Sequence, residues 1–246
     1  MRLSVLMPVY NERTMVERSI ALVLAAPLPE NMERELVVVD DQSSDGTWDI
    51  LQRLAAGFPQ IHLYRHEQNR GKGAAVRTAI DKATGDFSLV QDADLEYDPA
   101  DYFKLIAPIE AENADVVYGS RFLGGPQRVL LFWHYAGNRF LTVLSDMVTD
   151  INLSDVWTCY KAFRREVLQD LDLRENRFGF EQEFTIKMAR RGWRVYEVPI
   201  SYYGRTYAEG KKITWKDGVG ALWCILRYGI LSGHSEPSRQ GGKHGK

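Results

Sequence analysis

Continuously apolar runs and helically spaced apolar residues alternate along the first 120 residues of the chain. The apolar runs are short and end at turn-forming or acidic residues, which is typical of buried strands. The segments between them carry apolar residues at helical spacing, and Pro27 and Pro29 end the first of these helices. We therefore predict an α/β fold with a mostly parallel sheet and helices on both faces. The predicted strands span residues 3–9, 35–40, 61–64, 87–90 and 115–118.

The second half of the chain is less regular. From residue 215 onward one helical face is apolar, and the last residues are rich in Gly, Ser, Lys and His, which is typical of disorder. We expect a helix near 130–149, a strand-like stretch near 158–163, an amphipathic helix over about 181–191 and a strand at 195–198. The predicted organisation is a domain over 1–213, an amphipathic C-terminal helix over 214–231 and a disordered tail over 232–246.

Composition narrows the function mainly by exclusion. The 246 residues carry a net charge of −2, without the basic excess of a dedicated nucleic-acid binder. Two cysteines, Cys159 and Cys224, and five histidines form neither a disulfide framework nor a zinc pattern, so we expect a reducing compartment. No uncharged apolar run approaches the ~20 residues that cross a bilayer, and the N-terminus lacks a signal-peptide core. We expect a cytoplasmic protein.

Carboxylates follow the fourth predicted strand. Asp92 and Asp94 come directly after it, and Glu96 continues the same spacing. Ligands of parallel sheets bind beyond the carboxyl ends of the strands, and hard oxygen ligands suit Mg²⁺ or Mn²⁺ shared with substrate phosphates. A solvated acidic loop that includes Asp98 is the alternative interpretation.

Two further strand ends bear on the class of ligand. Asp40 and Asp41 end the second strand, where a carboxylate binds a ribose hydroxyl or a base N–H, or forms a turn. The first strand is followed by residues 8–12, which lack the G-x-G-x-x-G pattern of a dinucleotide-binding oxidoreductase. Gly71-Lys72-Gly73 is either a phosphate-binding turn or a flexible one.

These segments together resemble the inverting family 2 glycosyltransferases, which have the Rossmann-like GT-A fold. The resemblance covers most of residues 1–216, and within the family the chain looks like the dolichol-phosphate mannosyltransferase (polyprenyl-phosphate hexosyltransferase) branch. It implies transfer of a hexose from a nucleotide sugar to a polyprenyl phosphate, with Mg²⁺ or Mn²⁺. The matching segments are PVYNE (8–12), VVVDDQSSDGT (37–47), NRGKGAAV (69–76), QDADLEYDP (91–99), GSRF (119–122), DVWTCYKAFRREVL (155–168) and YYGRTYAEGKK (202–212).

The resemblance also suggests roles for individual residues. The expected metal ligands are Asp92, Asp94 and Glu96. The expected catalytic residues, which neutralise phosphate or hold the cation, are Asp94, Arg121, Arg205 and Lys211. The expected donor-binding residues are Pro8, Tyr10, Glu12, Asp40, Asp41, Lys72, Asp92 and Ala93.

Two departures from the family pattern leave the donor sugar open. Mannosyl members often have Gln at the place of Glu96, and they usually have Gly where this chain has Ala208-Glu209. The resemblance to the mannosyltransferase branch makes GDP-mannose the first candidate donor, and UDP-glucose is a close second.

The acceptor determines whether the enzyme needs a general base. A lipid monophosphate is already a dianion near neutrality because its second pKa is about 6, so basic residues should gather around it; the candidates are Arg139, Arg205, Lys211 and Lys212. A hydroxyl acceptor needs a base, for which Glu181 and Glu183 are candidates unless they only favour a helix N-terminus. A non-catalytic nucleotide-sugar binder is the third hypothesis, and it would not need leaving-group stabilisers.

A lipid acceptor also raises the question of membrane contact. The predicted C-terminal helix has an apolar face with basic flanks, as helices in the membrane interface do, and residues 130–133 offer a second apolar contact. Packing of both segments on the protein core is the alternative. The apolar positions of the helix are Val219, Leu222, Trp223, Leu226 and Ile230.

Overall fold

The computed structural model describes residues 1–124, 126, 128, 131–177, 179–206 and 215–232. One sheet of seven strands has the order β3-β2-β1-β4-β6-β5-β7. Strand β6 runs antiparallel to both of its neighbours, and the other four pairs are parallel, so the predicted mostly parallel sheet is confirmed. The strands are β1 Arg2–Val9, β2 Glu33–Asp40, β3 Ile61–Arg65, β4 Phe87–Val90, β5 Val116–Ser120, β6 Lys161–Arg164 and β7 Val195–Pro199.

Eight α-helices are found among the described residues. Proline marks two of their boundaries, since Pro27 and Pro29 follow the first helix and Pro99 begins the 3-10 turn before the fourth. A π-helix, Ile225–Leu231, continues directly from the last of them. The helices are α1 Val16–Ala25, α2 Thr47–Gly57, α3 Lys72–Lys82, α4 Tyr102–Glu110, α5 Phe132–Thr149, α6 Arg165–Asp170, α7 Phe180–Arg190 and α8 Trp215–Cys224.

Strands β1, β2 and β4 form the centre of the core. Every residue of β1 after Arg2 is buried, as are all four residues of β4 and the last six of β2. The register is parallel throughout, with Val9 opposite Asp40 and Leu6 opposite Val90. The carboxyl ends of these three strands therefore lie together at one edge of the sheet, where the polar residues that follow them meet.

The prediction that α7 is amphipathic is wrong. Its residues from Phe180 to Met188 are all buried. Phe184 packs on Phe163 of β6 and Tyr118 of β5, while α5, α8 and the π-helix cover the opposite side of α7. A helix enclosed on both sides needs no solvated face, and the charged Glu183 and Lys187 are accommodated by pairing with each other.

The C-terminal helix packs on the domain through small and aromatic residues rather than through its predicted apolar face. Ala221, Cys224, Ile225 and Tyr228 are buried, and Cys224 and Tyr228 pack with Ile186 of α7. Within the described part of the chain, no helix combines the length and apolarity that crossing a membrane would require. The predicted tail lies outside the described residues beyond residue 232.

Candidate functional site

A cavity of about 400 Å³ lies at the edge where β1, β2 and β4 end. Most of the predicted site residues line it. They come from the end of β1, the segments after β1, β2, β4, β5 and β7, and the start of α3. These residues are Pro8, Tyr10, Glu12, Asp41, Lys72, Asp92, Ala93, Asp94, Glu96, Arg121 and Arg205. Asp40 does not line the cavity, and Lys211 and Lys212 lie outside the described residues.

Two basic side chains form ion pairs with the acidic segment after β4. Lys72 Nζ lies 2.9 Å from Asp92 Oδ2, and Arg205 Nη2 lies 2.8 Å from Asp94 Oδ2. Burial would lower the pKa of Lys72, but the negative charges nearby, Asp92 foremost, outweigh burial and hold that pKa well above its ordinary value. The ammonium therefore stays charged at the start of helix α3.

Asp94 is a buried carboxylate with a strongly raised pKa. Burial, followed by repulsion from Asp92 and Glu96, raises its pKa to about 7, although Arg205 opposes the rise. Hard oxygen ligands with excess negative charge fit Mg²⁺ or Mn²⁺. Among the described residues, however, no group of three or more Asp, Glu, His or Cys side chains is arranged to hold a metal ion. The oxygen atoms of Asp92 and Asp94 fit a cation that shares its coordination with phosphate oxygens of a ligand.

Glu96 contacts the segment that follows β7. Its Oε1 accepts from the backbone N–H of Arg205 at 2.9 Å and lies 3.3 Å from Arg205 Nε. Its Oε2 accepts from the hydroxyl of Tyr202 at 2.7 Å. The carboxylate thus fastens the segment after β7 to the acidic segment after β4.

Arg121 is held by an acidic partner that the sequence analysis did not identify. Its Nε and Nη2 donate to the two carboxylate oxygens of Asp155 at 2.6 and 2.7 Å, and its guanidinium lies over the ring of Tyr202. Burial would raise the pKa of Asp155, but Arg121 outweighs it and the pKa lies below its ordinary value. Asp155 begins the matching segment DVWTCY, which was the available sign of its importance.

The two acidic residues at the end of β2 occupy different places. Asp40 is fully buried and pairs with Arg65 Nε at 3.0 Å. Asp41 lines the cavity and accepts from the backbone N–H groups of Arg70 and Gly71 at 2.9 and 2.7 Å. Asp41 thereby shapes the turn before α3. The Asp41 carboxylate also lies 2.6 Å from His66 Nδ1, a contact that the sequence analysis did not identify.

Gly71 is required in that turn. Its φ is +94°, and a Cβ atom there would lie 2.5 Å from the carbonyl oxygen of Asn176. The turn therefore presses directly against the segment before α7. Arg177 of that segment and Trp157, which precedes β6, also line the cavity and were not predicted.

The candidate general bases differ in their environment. Glu183 accepts from the backbone N–H groups of Arg174 and Glu175 and pairs with Lys187, so its carboxylate is used in holding the fold. Glu181 is buried, with Oε1 3.5 Å from Lys72 Nζ, and it does not line the cavity. Arg139, predicted on the acceptor side, donates to the carbonyl oxygen of Ser154 at 2.9 Å.

An exposed apolar surface lies on α5 and the C-terminal helix, which pack against each other. The predicted apolar face of the C-terminal helix points away from the core, apart from Leu222, which is half-buried. Trp133 is 81% exposed and Met147 75% exposed on α5. We call this surface the apolar face. Its exposed residues are Leu131, Phe132, Trp133, Phe140, Val143, Met147, Val219, Trp223, Leu226 and Ile230.

Comparison with known sequences gives one family over most of the chain. The sequence model of the family described as Glycosyl transferase family 2 matches residues 4–172. An undecaprenyl-phosphate mannosyltransferase of Micrococcus luteus is 31% identical over 246 residues, covering 94% of this chain and 96% of that protein. A dolichol-phosphate mannosyltransferase of Pyrococcus furiosus is 30% identical over 217 residues, covering 86% of this chain. The match spans 59% of the Pyrococcus protein.

A solved structure has a similar fold. The mannosyltransferase PcManGT from Pyrobaculum calidifontis, in complex with GDP-Man and Mn²⁺, is 25% identical with a TM-score of 0.60. The match covers 82% of this chain and 56% of that one.

Proposed function

The chain belongs to glycosyl transferase family 2, and on that premise we propose that it transfers a hexose, mannose first, from a nucleotide sugar to a polyprenyl phosphate. It is a glycosyltransferase with the GT-A fold, as the family and its relatives show. The donor, the lipid acceptor and the divalent cation are the parts that we propose. The relatives named for dolichol and undecaprenyl phosphate support the acceptor, and both are named mannosyltransferases.

The observation that carries this proposal is the charge arrangement of the cavity. Acidic Asp92 and Asp94 face basic Lys72, Arg121 and Arg205 around one space at the strand ends. Transfer of a sugar leaves a nucleoside diphosphate, whose developing negative charge needs fixed positive groups. Arg121 is oriented for this task by Asp155, which fixes its guanidinium plane. A binding protein without turnover has no need of such stabilisers.

We propose that Asp92 and Asp94 hold Mg²⁺ or Mn²⁺ together with the diphosphate of the donor. Bound there, the cation neutralises the phosphate charge that grows as the sugar leaves. Asp94 carries the excess negative charge, and Lys72 fixes the orientation of Asp92. Glu96, expected as a third ligand, also anchors the backbone of Arg205 through its Oε1 atom.

The contacts and positions of the candidate bases Glu181 and Glu183 favour a phosphate acceptor over a hydroxyl acceptor. The carboxylate of Glu183 is occupied by two backbone N–H groups and Lys187, and Glu181 lies behind Lys72 rather than on the cavity wall. A phosphate dianion needs no base, since it already carries the charge that attacks the sugar. The task of the enzyme is then to position two phosphates close together.

A donor experiment tests the function. The protein is incubated with polyprenyl phosphate and Mg²⁺ or Mn²⁺, with GDP-mannose or UDP-glucose in separate reactions, and the lipid fraction is analysed by mass spectrometry. We expect a hexosyl-phosphate lipid from GDP-mannose, lost in Asp94→Asn and on chelation. Product from UDP-glucose alone would reassign the donor, and no product from either would contradict the proposed reaction.

We further propose that the apolar face rests on the membrane that holds the lipid acceptor. Exposed Trp, Phe and Leu residues on two packed helices suit burial in the interface region of a bilayer. The C-terminal helix is already secured to the core by its other side, so this face is not needed for folding.

Vesicle co-sedimentation tests membrane contact. Wild type should sediment with anionic phospholipid vesicles, and Leu226→Asp should stay in the supernatant. Leu22→Asp, at an exposed leucine of α1, is the matched control and should sediment like wild type. Equal sedimentation of both variants, or none by wild type, would contradict this part of the proposal.

A further inference from the structure

The side chain of Arg205 lies among three carboxylates. Nη2 is 2.8 Å from Asp94 Oδ2, Nε is 3.3 Å from Glu96 Oε1 and Nη1 is 3.6 Å from Glu12 Oε2. The side chain is only 11% exposed. The guanidinium thus provides one buried positive charge for three carboxylates. A small divalent cation could provide positive charge to the same carboxylates.

The backbone of Arg205 is fixed independently of its guanidinium. Its N–H donates to Glu96 Oε1 at 2.9 Å, and the N–H of Tyr203 donates to the carbonyl oxygen of Glu96 at 2.8 Å. Tyr202 adds a hydroxyl contact to the same carboxylate and a β-bridge to Tyr97. The guanidinium can therefore leave Asp94 by side-chain rotation while the chain stays in place.

We propose that Arg205 is the internal counter-ion of this carboxylate cluster and that it exchanges with the divalent cation at Asp94. The inference rests on the proposed function in one respect, that a divalent cation binds at Asp94. The guanidinium and the cation compete for the same carboxylate oxygen, because two positive groups held against it repel each other. Displaced from Asp94, Arg205 is free to contact a phosphate of a ligand in the cavity that Arg205 itself lines.

This exchange has a counter-intuitive consequence for metal binding. If Arg205 covers Asp94 in nine of ten molecules, the apparent affinity for the cation is about tenfold weaker than the intrinsic affinity. Removing the guanidinium should then strengthen binding of the cation in the absence of nucleotide. A residue that only stabilises phosphate would not have this effect, because no phosphate is present.

The test is binding of Mn²⁺ alone, followed by the electron paramagnetic resonance signal of the free ion at pH 8. Arg205→Gln should bind Mn²⁺ about tenfold more tightly than wild type. Arg177→Gln is the matched control, since Arg177 is an exposed arginine lining the same cavity. It should change the affinity by about twofold, the effect of removing one exposed charge. Equal affinities of the two variants, or weaker binding by Arg205→Gln, would overturn the proposal.

A second variant tests the exchange in case Arg205→Gln does not fold. Arg205→Lys keeps the charge but loses the planar fork that reaches Asp94 and Glu96 together, so its affinity should lie between those of wild type and Arg205→Gln. If Arg205→Gln does not fold, binding by Arg205→Lys that is no tighter than wild type overturns the exchange.

The binding experiment is independent of turnover. If Arg205→Gln binds Mn²⁺ more tightly than wild type but no lipid product forms, the proposed substrates are wrong and the role of Arg205 is supported. Absence of Mn²⁺ binding in both wild type and Arg205→Gln would overturn the exchange, whatever product is formed.

Discussion

Asp94→Asn should make the metal-free protein more stable while it removes activity. The pKa of Asp94 is raised from 3.8 to about 7, chiefly by burial and then by Asp92 and Glu96. Between these pH values the folded protein keeps a proton on Asp94 that the unfolded chain has lost. Raising the pH therefore favours unfolding of wild type, but not of a variant with a neutral amide at this position.

The size of the effect follows from the pKa. One pKa unit corresponds to about 1.4 kcal/mol, so the rise from 3.8 to about 7 sets an upper bound of about 4 kcal/mol on the gain in unfolding free energy. The gain should be small near pH 4, increase up to pH 7 and stay constant above it. Asparagine preserves the shape of the side chain, so no cavity term enters.

The assay is urea unfolding with a chelator present at pH 5, 6, 7 and 8, followed by tryptophan fluorescence. Asp81→Asn, at an exposed position on α3, is the control and should differ from wild type by the same small amount at every pH. The reasoning is refuted if Asp94→Asn is less stable than wild type at pH 8. A difference that does not change from pH 5 to pH 8 would refute it as well.

Three further predictions concern residues around the cavity. Glu183→Gln should lower the unfolding free energy by about 3 kcal/mol, because it leaves Lys187 buried without its charged partner. A loss in urea unfolding that is smaller than the loss caused by Glu181→Gln would contradict this prediction. Gly73→Ala should cost about 2 kcal/mol in thermal unfolding, since its Cβ would lie 2.5 Å from the carbonyl oxygen of Glu175. Arg121→Lys should lower kcat/KM about 100-fold through loss of the fork that Asp155 orients, and an unchanged kcat/KM would contradict the role of Arg121.

The central strands were predictable because they are buried on both faces. Continuous apolar runs such as residues 87–90 have no other stable location, and the structure has this strand at Phe87–Val90. The direction of β6 was not predictable, since four residues that include a buried lysine, Lys161, carry no information on orientation. The environment of α7 was missed for a related reason. Its charged residues find partners in the protein, and those partners cannot be read from helical spacing.

Much of the cavity wall was predictable because polar residues at strand ends share one edge of the sheet. The partners that orient them were not, since they come from distant parts of the chain. Asp155 lies 34 residues from Arg121, and His66 lies 25 residues from Asp41. Glu96 is a further example. The spacing that suggests a metal ligand gives no sign of its contacts with Tyr202 and Arg205, which lie more than 100 residues away.

The central claim is that the acceptor is a lipid phosphate that needs no general base. The most direct measurement compares polyprenyl phosphate with the corresponding polyprenol as acceptors, in the presence of GDP-mannose and Mn²⁺, by mass spectrometry of the lipid fraction. The account predicts a hexosyl-phosphate lipid from the phosphate and no product from the alcohol. A hexosylated polyprenol, or equal transfer to both, would contradict it.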